Sequence, residues 1–260
     1  MVKSAVRVFE ILQFIARHDA GCLHSQIALA LNIPRASLTA LLSDLQELRY
    51  IIFDAETNRY LLGAEVLTLS HAYLRNLNIV RIGEPILRDI FREVQEFTSL
   101  LIANDTSVVK VCEYAVPDPL GLHLQVGEAG PMHATSGGKA LLAHLPVPVR
   151  DDVISRLDFR VYTKQTIRTK AALLKELKVI QSGAIAYCRE EYLEGMISMA
   201  LPVFNAQNQA VAAVGVNTRS VRFTQAHEKK VEKVLRAAAA KLSARLGNRA
   251  QRGRELVGIA

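Results

Sequence analysis

The feature that most constrains the fold is a change of hydrophobic period within the first 62 residues. Three segments carry apolar residues at helical spacing, and two shorter segments after them have the composition of strands. The helical segments are residues 5–17, 25–31 and 34–49, and the strand segments are residues 50–53 and 59–62. Three helices followed by a hairpin predict a winged helix-turn-helix over residues 1–63.

The third of these helices predicts a surface that contacts DNA. If Leu38 and Leu41 pack against the second helix, the opposite face carries polar side chains. These are Arg35, Ser37, Thr39 and Ser43. Arginine commonly contacts DNA phosphates, and hydroxyl groups can hydrogen-bond to base edges. Arg59 in the hairpin is placed to reach a phosphate or the minor groove. We therefore expect double-stranded operator DNA as a partner; a protein-interaction module with a solvated polar face is the alternative.

The distribution of charge predicts that one copy of the chain makes few phosphate contacts. The net charge is +7, yet residues 1–80 contain seven basic and seven acidic side chains. The excess lies in residues 222–260, with ten basic and three acidic side chains. Because few phosphate contacts give weak binding, a homodimer or homotetramer is expected to bind DNA.

The rest of the chain predicts an α+β second domain. A linker helix is expected over residues 64–80, and the sequence Gly83-Glu84-Pro85 is expected to interrupt the helical pattern before a further helix. Alternating segments then predict an antiparallel or mixed sheet flanked by helices over residues 81–247. The strands are placed at 99–104, 107–114, 121–126, 195–203 and 210–217, and the later helices at 151–157, 170–182 and 225–245. Residues 248–260 are predicted to be a disordered basic tail.

Several function classes are excluded by composition. No apolar run approaches the roughly 20 residues that cross a bilayer, and the N-terminus lacks the apolar core of a signal peptide, so no membrane association and a cytoplasmic location are expected. The three cysteines form no CxxC pair, so neither a disulfide framework nor a cysteine-rich zinc site is expected. The metal-ligand types at Cys112, Glu113, His123 and His133 have no recognisable spacing. We therefore predict no metal and no cofactor.

The stretch "HATSGGKALLA", residues 133–143, allows several chemistries. It fails as a Walker loop, because His133 stands at the first glycine position and Ala140 at the hydroxyl position. His133 and Ser136 could form a nucleophilic pair, but no G-x-S-x-G elbow or third acid accompanies them, and Glu190 and Glu191 are interpreted as a charged turn.

The remaining interpretation of this stretch is an anion-binding site. The hydroxyls of Thr135 and Ser136 and the Gly137-Gly138 amides precede a helix expected to begin near Lys139, whose side chain is interpreted as facing solvent. A helix cap with no ligand is the alternative.

Six motifs in order resemble the IclR family of bacterial transcriptional regulators over residues 3–247. They are "KSAVRVFEIL", "IALALNIPRASLTALLSDLQ", "NRYLLG", "GPMHATSGGKALLA", "YCREEYLEGMISMALPVFN" and "AVAAVGVN". The resemblance implies a winged-helix domain, a linker helix and a GAF-like effector domain, assembled as dimers or tetramers. It also implies that a small organic or aromatic acid alters operator binding.

The resemblance further implies which residues line an effector pocket. They are Ser136, Gly137, Cys188, Met196, Ser198, Gly215 and Asn217. Three of them, Cys188, Gly215 and Asn217, differ from the residue types that are frequent in the family, and Ala40 stands where the recognition helix often carries a basic residue. The expected function is a DNA-binding regulator modulated by a small carboxylate and without catalytic residues. The alternative is a small-molecule-binding, hydrolase-like enzyme with an accessory helical domain.

Overall fold

Contacts between residues divide the chain into two units. The computed structural model describes residues 2–76, 78–115 and 124–248. One unit is Met1–Asn76 and the other is Leu77–Ala260, so the division falls inside the segment predicted as a linker helix. Part of the predicted strand 121–126 and nearly all of the predicted tail 248–260 lie outside the described residues.

The N-terminal unit has the predicted order of three helices and a hairpin, followed by a fourth helix. The elements are α1 Lys3–Ala16, α2 His24–Ala30, α3 Arg35–Glu47, β1 Ile51–Asp54, β2 Arg59–Leu62 and α4 Glu65–Asn76. The first three helices and β1, with two loop residues, meet in one core, formed by Ile11, Ile15, Cys22, Ile27, Ile33, Leu38, Leu42, Leu45 and Ile51. The helical period predicts the buried Leu38, Leu42 and Leu45 of α3 correctly. In α1 it predicts a buried stripe of Ala5, Phe9, Leu12 and Ala16, which is wrong, because Phe9 is 65% exposed and the buried residues are Ile11 and Ile15.

The turn between α2 and α3 depends on one asparagine. Asn32 has a φ of 50°, a left-handed conformation that asparagine adopts more readily than most residues. The next amide, of Ile33, donates to the carbonyl of Ala28 at 3.1 Å. Pro34 then precedes the helix as its N-cap, and α3 begins at Arg35.

The C-terminal unit is an α+β layer structure around a six-stranded antiparallel sheet, as the fold-class prediction expected. Its elements are α5 Asn78–Val94, β3 Phe97–Asn104, β4 Ser107–Tyr114, β5 Ala129–Pro131, α6 Ser136–Leu142, α7 Val147–Ser155, α8 Lys170–Gln181, β6 Ala186–Arg189, β7 Met196–Phe204, β8 Ala210–Arg219 and α9 Gln225–Arg245. The strand order is β5-β4-β3-β8-β7-β6. The sequence did not predict the two short strands β5 and β6.

The predicted interruption at Gly83-Glu84-Pro85 is wrong, because α5 continues through Pro85. A proline inside a helix removes one backbone hydrogen bond. The helix nevertheless buries a full stripe of side chains, including Ile86, Leu87 and Ile90, and this packing outweighs the loss. Gly83 allows close approach to the sheet, since a Cβ there would lie 2.1 Å from Leu100 Cδ1.

The two faces of the sheet are covered differently. Helices α5 and α9 pack on one face, and α6 packs on the other against β7, β8 and β3, with α8 beside it. The core under α6 includes Leu101, Met132, Leu141, Leu173 and Leu177. Because α6 is only seven residues long, it covers part of this face and leaves room for a cavity at its beginning.

Candidate ligand cavity and nucleic-acid interface

A cavity of about 380 Å³ lies between the sheet and the beginning of α6. Small-molecule sites typically enclose about 300–1,000 Å³. Its lining comes from five strands, α6 and the connecting loops. The lining residues are Ser99, Leu101, Lys110, Leu124, Glu128, Thr135, Ser136, Gly137, Tyr162, Cys188, Tyr192, Leu193, Met196, Ser198, Gly215 and Asn217.

All seven residues that the family resemblance implied line this one cavity. Three of them form a row across the sheet, because Cys188 on β6 pairs with Ser198 on β7, which pairs with Asn217 on β8. Ser136 Oγ donates to Ser198 Oγ at 2.9 Å, which joins α6 to that row. The structure thus brings the seven residues together; their role in binding stays a prediction.

The first turn of α6 presents backbone amides at the cavity. The helix begins at Ser136, earlier than the predicted start near Lys139. The N-cap residue Thr135 accepts from Gly138 N at 3.2 Å and donates to the carbonyl of Pro131 at 2.8 Å. The amides of Ser136 and Gly137 stand in the first turn, where a helix supplies no backbone acceptor.

The two glycines of α6 have different neighbours. A Cβ at Gly138 would lie 2.5 Å from the Cα and carbonyl oxygen of Met132, which are backbone atoms. A Cβ at Gly137 would meet only the side chain of Leu101, at 3.0 Å. Gly138 is therefore required for packing, whereas Gly137 borders the cavity.

The side chain of Lys139 points inward, so the interpretation that it faces solvent is wrong. It is fully buried, and its ammonium lies 2.7 Å from both carboxylate oxygens of Glu191 and 2.6 Å from Glu176 on α8. Glu191 is also buried rather than part of an exposed turn, and its carbonyl accepts from Thr166 Oγ1 at 2.6 Å. Burial raises the pKa of Glu191, and Lys139 opposes that rise. We call Lys139, Glu176 and Glu191 the sealed cluster.

A second buried lysine, which the sequence pattern does not reveal, lines the cavity. Lys110 on β4 is only 2% exposed, and its ammonium contacts the Glu113 carboxylate. Burial lowers the pKa of Lys110, and Glu113 opposes this effect. Residues three apart on a regular strand point to opposite faces, but a β-bulge between Leu100 and Leu101 shifts the register and puts both side chains on the same face. We call Lys110 and Glu113 the cavity pair.

The nucleophilic pair that a hydrolase would need does not form between His133 and Ser136. Ser136 is bonded to Ser198, while the His133 Nε2 bonds with the carbonyl of Arg160 at 3.1 Å. Burial lowers the pKa of His133, which favours its neutral form. Burial also raises the pKa of Cys188, whose thiol donates to the carbonyl of Ala134 at 3.1 Å. Cys188 is therefore a protonated polar contact of the cavity and a poor nucleophile.

The predicted DNA-contact residues of α3 lie on its exposed face, opposite the buried Leu38, Leu42 and Leu45. They are Arg35, Ser37, Thr39 and Ser43, with Ala40 among them. The Thr39 hydroxyl is engaged locally: it donates to the carbonyl of Arg35 at 2.9 Å and lies 3.0 Å from His24 Nε2. Arg35 and the two serines have the accessibility that contact with a groove requires.

Arg59 differs from the residues of α3 because its guanidinium is used inside the domain. Its Nη1 donates to the carbonyl of Gly21 at 2.8 Å, and the side chain is half-buried. This bond ties β2 to the loop between α1 and α2, beside the short bridge of Cys22 with Tyr60. A DNA contact by Arg59 remains a prediction, and a structural role is visible.

No group of three or more His, Cys, Asp or Glu side chains among the described residues is arranged to hold a metal ion. His123, one of the metal-ligand types noted in the sequence, lies outside those residues. Within the same described ranges, no helix combines the length and apolar character needed to span a membrane.

Two family models match the chain. The model described as "Bacterial transcriptional regulator IclR C-terminal" matches residues 71–244. The model described as "IclR helix-turn-helix domain" matches residues 4–55. The helix-turn-helix model lies within the N-terminal unit, and the C-terminal model matches most of the other unit.

Individual proteins are similar along most of the chain. "Probable transcriptional regulator SauR" of Cupriavidus necator is 28% identical over 221 residues, which are 85% of this chain and 88% of the relative. The crystal structure of the Thermotoga maritima IclR superposes with a TM-score of 0.76 at 23% identity, over 95% of this chain and 100% of that chain. The inducer-binding domain of a PobR double mutant from Acinetobacter, solved with 3-hydroxybenzoic acid, has a TM-score of 0.58 and 26% identity, over 63% of this chain and 97% of its own.

Proposed function

The chain belongs to the IclR family of bacterial transcriptional regulators, and we propose that a small organic or aromatic carboxylate in its cavity modulates its binding to operator DNA. Family membership makes the chain a helix-turn-helix regulator with a C-terminal effector-binding domain. It does not favour the hydrolase-like alternative, because the related proteins are regulators.

The observation that carries the proposal is the convergence of polar groups at one side of the cavity. Ser136, Gly137, Ser198 and Asn217 all line the same space, and the Ser136 hydroxyl donates to the Ser198 hydroxyl there. Hydroxyl, amide and helix N-terminal donors together suit the two oxygens of a carboxylate. The PobR domain that resembles this unit was solved with an aromatic acid, which supports the same ligand class.

On the DNA side, we propose that Arg35 contacts phosphate and that Ser37, Thr39 and Ser43 contact base edges in the major groove. Each copy then supplies few cations, so two or four copies are needed to bind paired half-sites. We propose that Arg59 contributes mainly by holding the hairpin through its bond to Gly21.

Fluorescence anisotropy tests the DNA contacts, with the full chain and a duplex that the wild-type protein has selected from a random library. Arg35→Ala is expected to weaken binding on all duplexes, and to reduce the slope of log affinity against log salt by about one. Lys178→Ala serves as the matched control, because it removes one positive charge from the exposed side of α8. If Arg35→Ala and the control bind with the same affinity and salt slope, the assignment of Arg35 is wrong.

A further inference from the structure

The cavity has a second polar side, on the strand β4. Among the described residues that line it, only Lys110 and Glu128 carry charge. Glu128 is exposed, whereas Lys110 is buried, so Lys110 is the cation that a molecule inside the cavity would meet. The neighbouring backbone is ordered around it, because Lys110 N donates to the carbonyl of Glu128 at 3.1 Å and Gly127 N donates to that of Lys110 at 2.8 Å.

The position of Lys110 has an energetic cost that packing does not explain. Lysine is almost never fully buried unless it is paired, and a buried ion pair is often no more stable than apolar side chains of the same volume. Here the chain also uses a β-bulge to bring Lys110 and Glu113 to the same face. A costly charge at the wall of an internal cavity is typical of a binding site.

The two polar sides of the cavity are well separated along the sheet. Lys110 is on β4 and Ser198 is on β7, and the strand order β4-β3-β8-β7 places three strand spacings between them. That separation is about 14 Å between backbones. Between the two sides, Leu101 and Gly215 provide an apolar or side-chain-free floor. One carboxylate cannot contact both sides, but a molecule with two oxygen-bearing groups can.

We propose that Lys110 is a ligand-binding residue that selects acids with a second oxygen-bearing group, a hydroxyl or a second carboxylate. This inference rests on the proposed function: the first carboxylate binds at Ser136 and Ser198, and the second group accepts a hydrogen bond from the Lys110 ammonium. Glu113 holds that ammonium toward the cavity and neutralises it when the cavity is empty. The charge at Lys110 therefore determines which acids act as effectors.

The test compares matched acids on matched proteins by isothermal titration calorimetry. The probes are benzoate, 3-hydroxybenzoate and isophthalate, and butanoate, 4-hydroxybutanoate and succinate. The wild-type chain should prefer the tightest bifunctional acid over its monofunctional partner by about tenfold or more, the value of one charge-assisted hydrogen bond. Lys110→Met should abolish this preference and change the affinity for the monofunctional acid much less.

Two further variants keep this test decisive. The double variant Lys110→Met/Glu113→Gln removes both charges of the cavity pair. It replaces Lys110→Met in the test if the unpaired Glu113 prevents that single variant from folding. Lys178→Met removes an exposed lysine and should leave the preference intact.

The possible failures are distinguishable. If both variants at Lys110 still prefer the bifunctional acids, the role of Lys110 is refuted while the acid effector stands. The same holds if both variants lose affinity for monofunctional and bifunctional acids to the same extent. If the wild-type chain binds none of the six acids at millimolar concentration but still binds operator DNA, the acid effector is refuted together with this inference.

Discussion

The C-terminal unit contains two buried lysines, Lys139 and Lys110, each paired with glutamate, and the two differ in what surrounds them. The sealed cluster joins α6 to α8 and to the segment before β7, and Lys139 in it is surrounded by protein. The cavity pair lies on β4 beside an internal space of about 380 Å³. No member of the sealed cluster lines the cavity, whereas Lys110 of the cavity pair does and can contact a bound molecule.

The same contrast runs along α6 itself. Ser136 and Gly137 line the cavity, while Gly138 touches the Met132 backbone and Lys139 enters the sealed cluster. The HATSGGKALLA motif therefore has two adjoining parts. Ser136 and Gly137 border the cavity, and Gly138 and Lys139 pack inside the fold. Substitutions that separate these parts test the comparison.

The largest expected effect is at Lys139. Lys139→Met leaves the buried Glu191 carboxylate without its cation, and removal of one partner of a buried pair typically costs about 3–5 kcal/mol. Urea unfolding followed by circular dichroism should show this loss without any ligand. Lys178→Met on the exposed side of α8 should change stability by less than about 0.5 kcal/mol. Equal stability of the two variants would mean that the sealed cluster does not support the fold.

The neighbouring glycines should separate stability from binding. Gly138→Ala puts a Cβ 2.5 Å from backbone atoms and should destabilise the fold by about 1–3 kcal/mol. Gly137→Ala meets only the movable side chain of Leu101, so its main effect should be a smaller cavity and weaker binding of acids. Thermal unfolding midpoints and calorimetric titrations of both variants check this. A Gly137→Ala protein that is the less stable of the two would contradict the assignment of the two glycines.

The smallest expected effect is a pH dependence from Glu191. Burial raises the pKa of its carboxyl above the ordinary value of 4.5, so at a pH between the two pKa values the folded chain holds a proton that the unfolded chain has released. The stabilisation that protonated Glu191 contributes to the fold is therefore present at low pH. It is lost as the pH rises from about 4.5 through the raised pKa. The stability of the wild-type chain relative to Glu191→Gln should fall over that window. A difference between the two proteins that rises with pH would have the wrong sign.

Sequence periodicity predicted the order of the elements in the N-terminal unit, and the buried face of α3, because α1, α2 and α3 share a single core. The apolar positions Ile27, Leu38 and Leu42 repeat at helical spacing, and all three are buried. The long helix α9 was likewise predicted at Gln225–Arg245, where it occurs. The order of motifs led to the family, and the residues that it implied share one cavity.

Buried charges were not predictable in the same way. Lys139 follows two glycines in an otherwise apolar helix, and a lysine in such a position is normally assigned to solvent. Its partners, Glu176 and Glu191, are distant in sequence and come together only in the folded unit. Lys110 depends on a β-bulge that no alternation of residue types reveals, and the path of α5 through Pro85 depends on packing against the sheet.

The central claim is that occupation of the cavity changes how the chain binds DNA. Calorimetric titration of the tightest acid into the full chain, with and without saturating operator duplex, measures this coupling. We expect two different dissociation constants, whose ratio equals the factor by which the acid changes the affinity for DNA, commonly about 5–150-fold. Identical dissociation constants in the two titrations would contradict it.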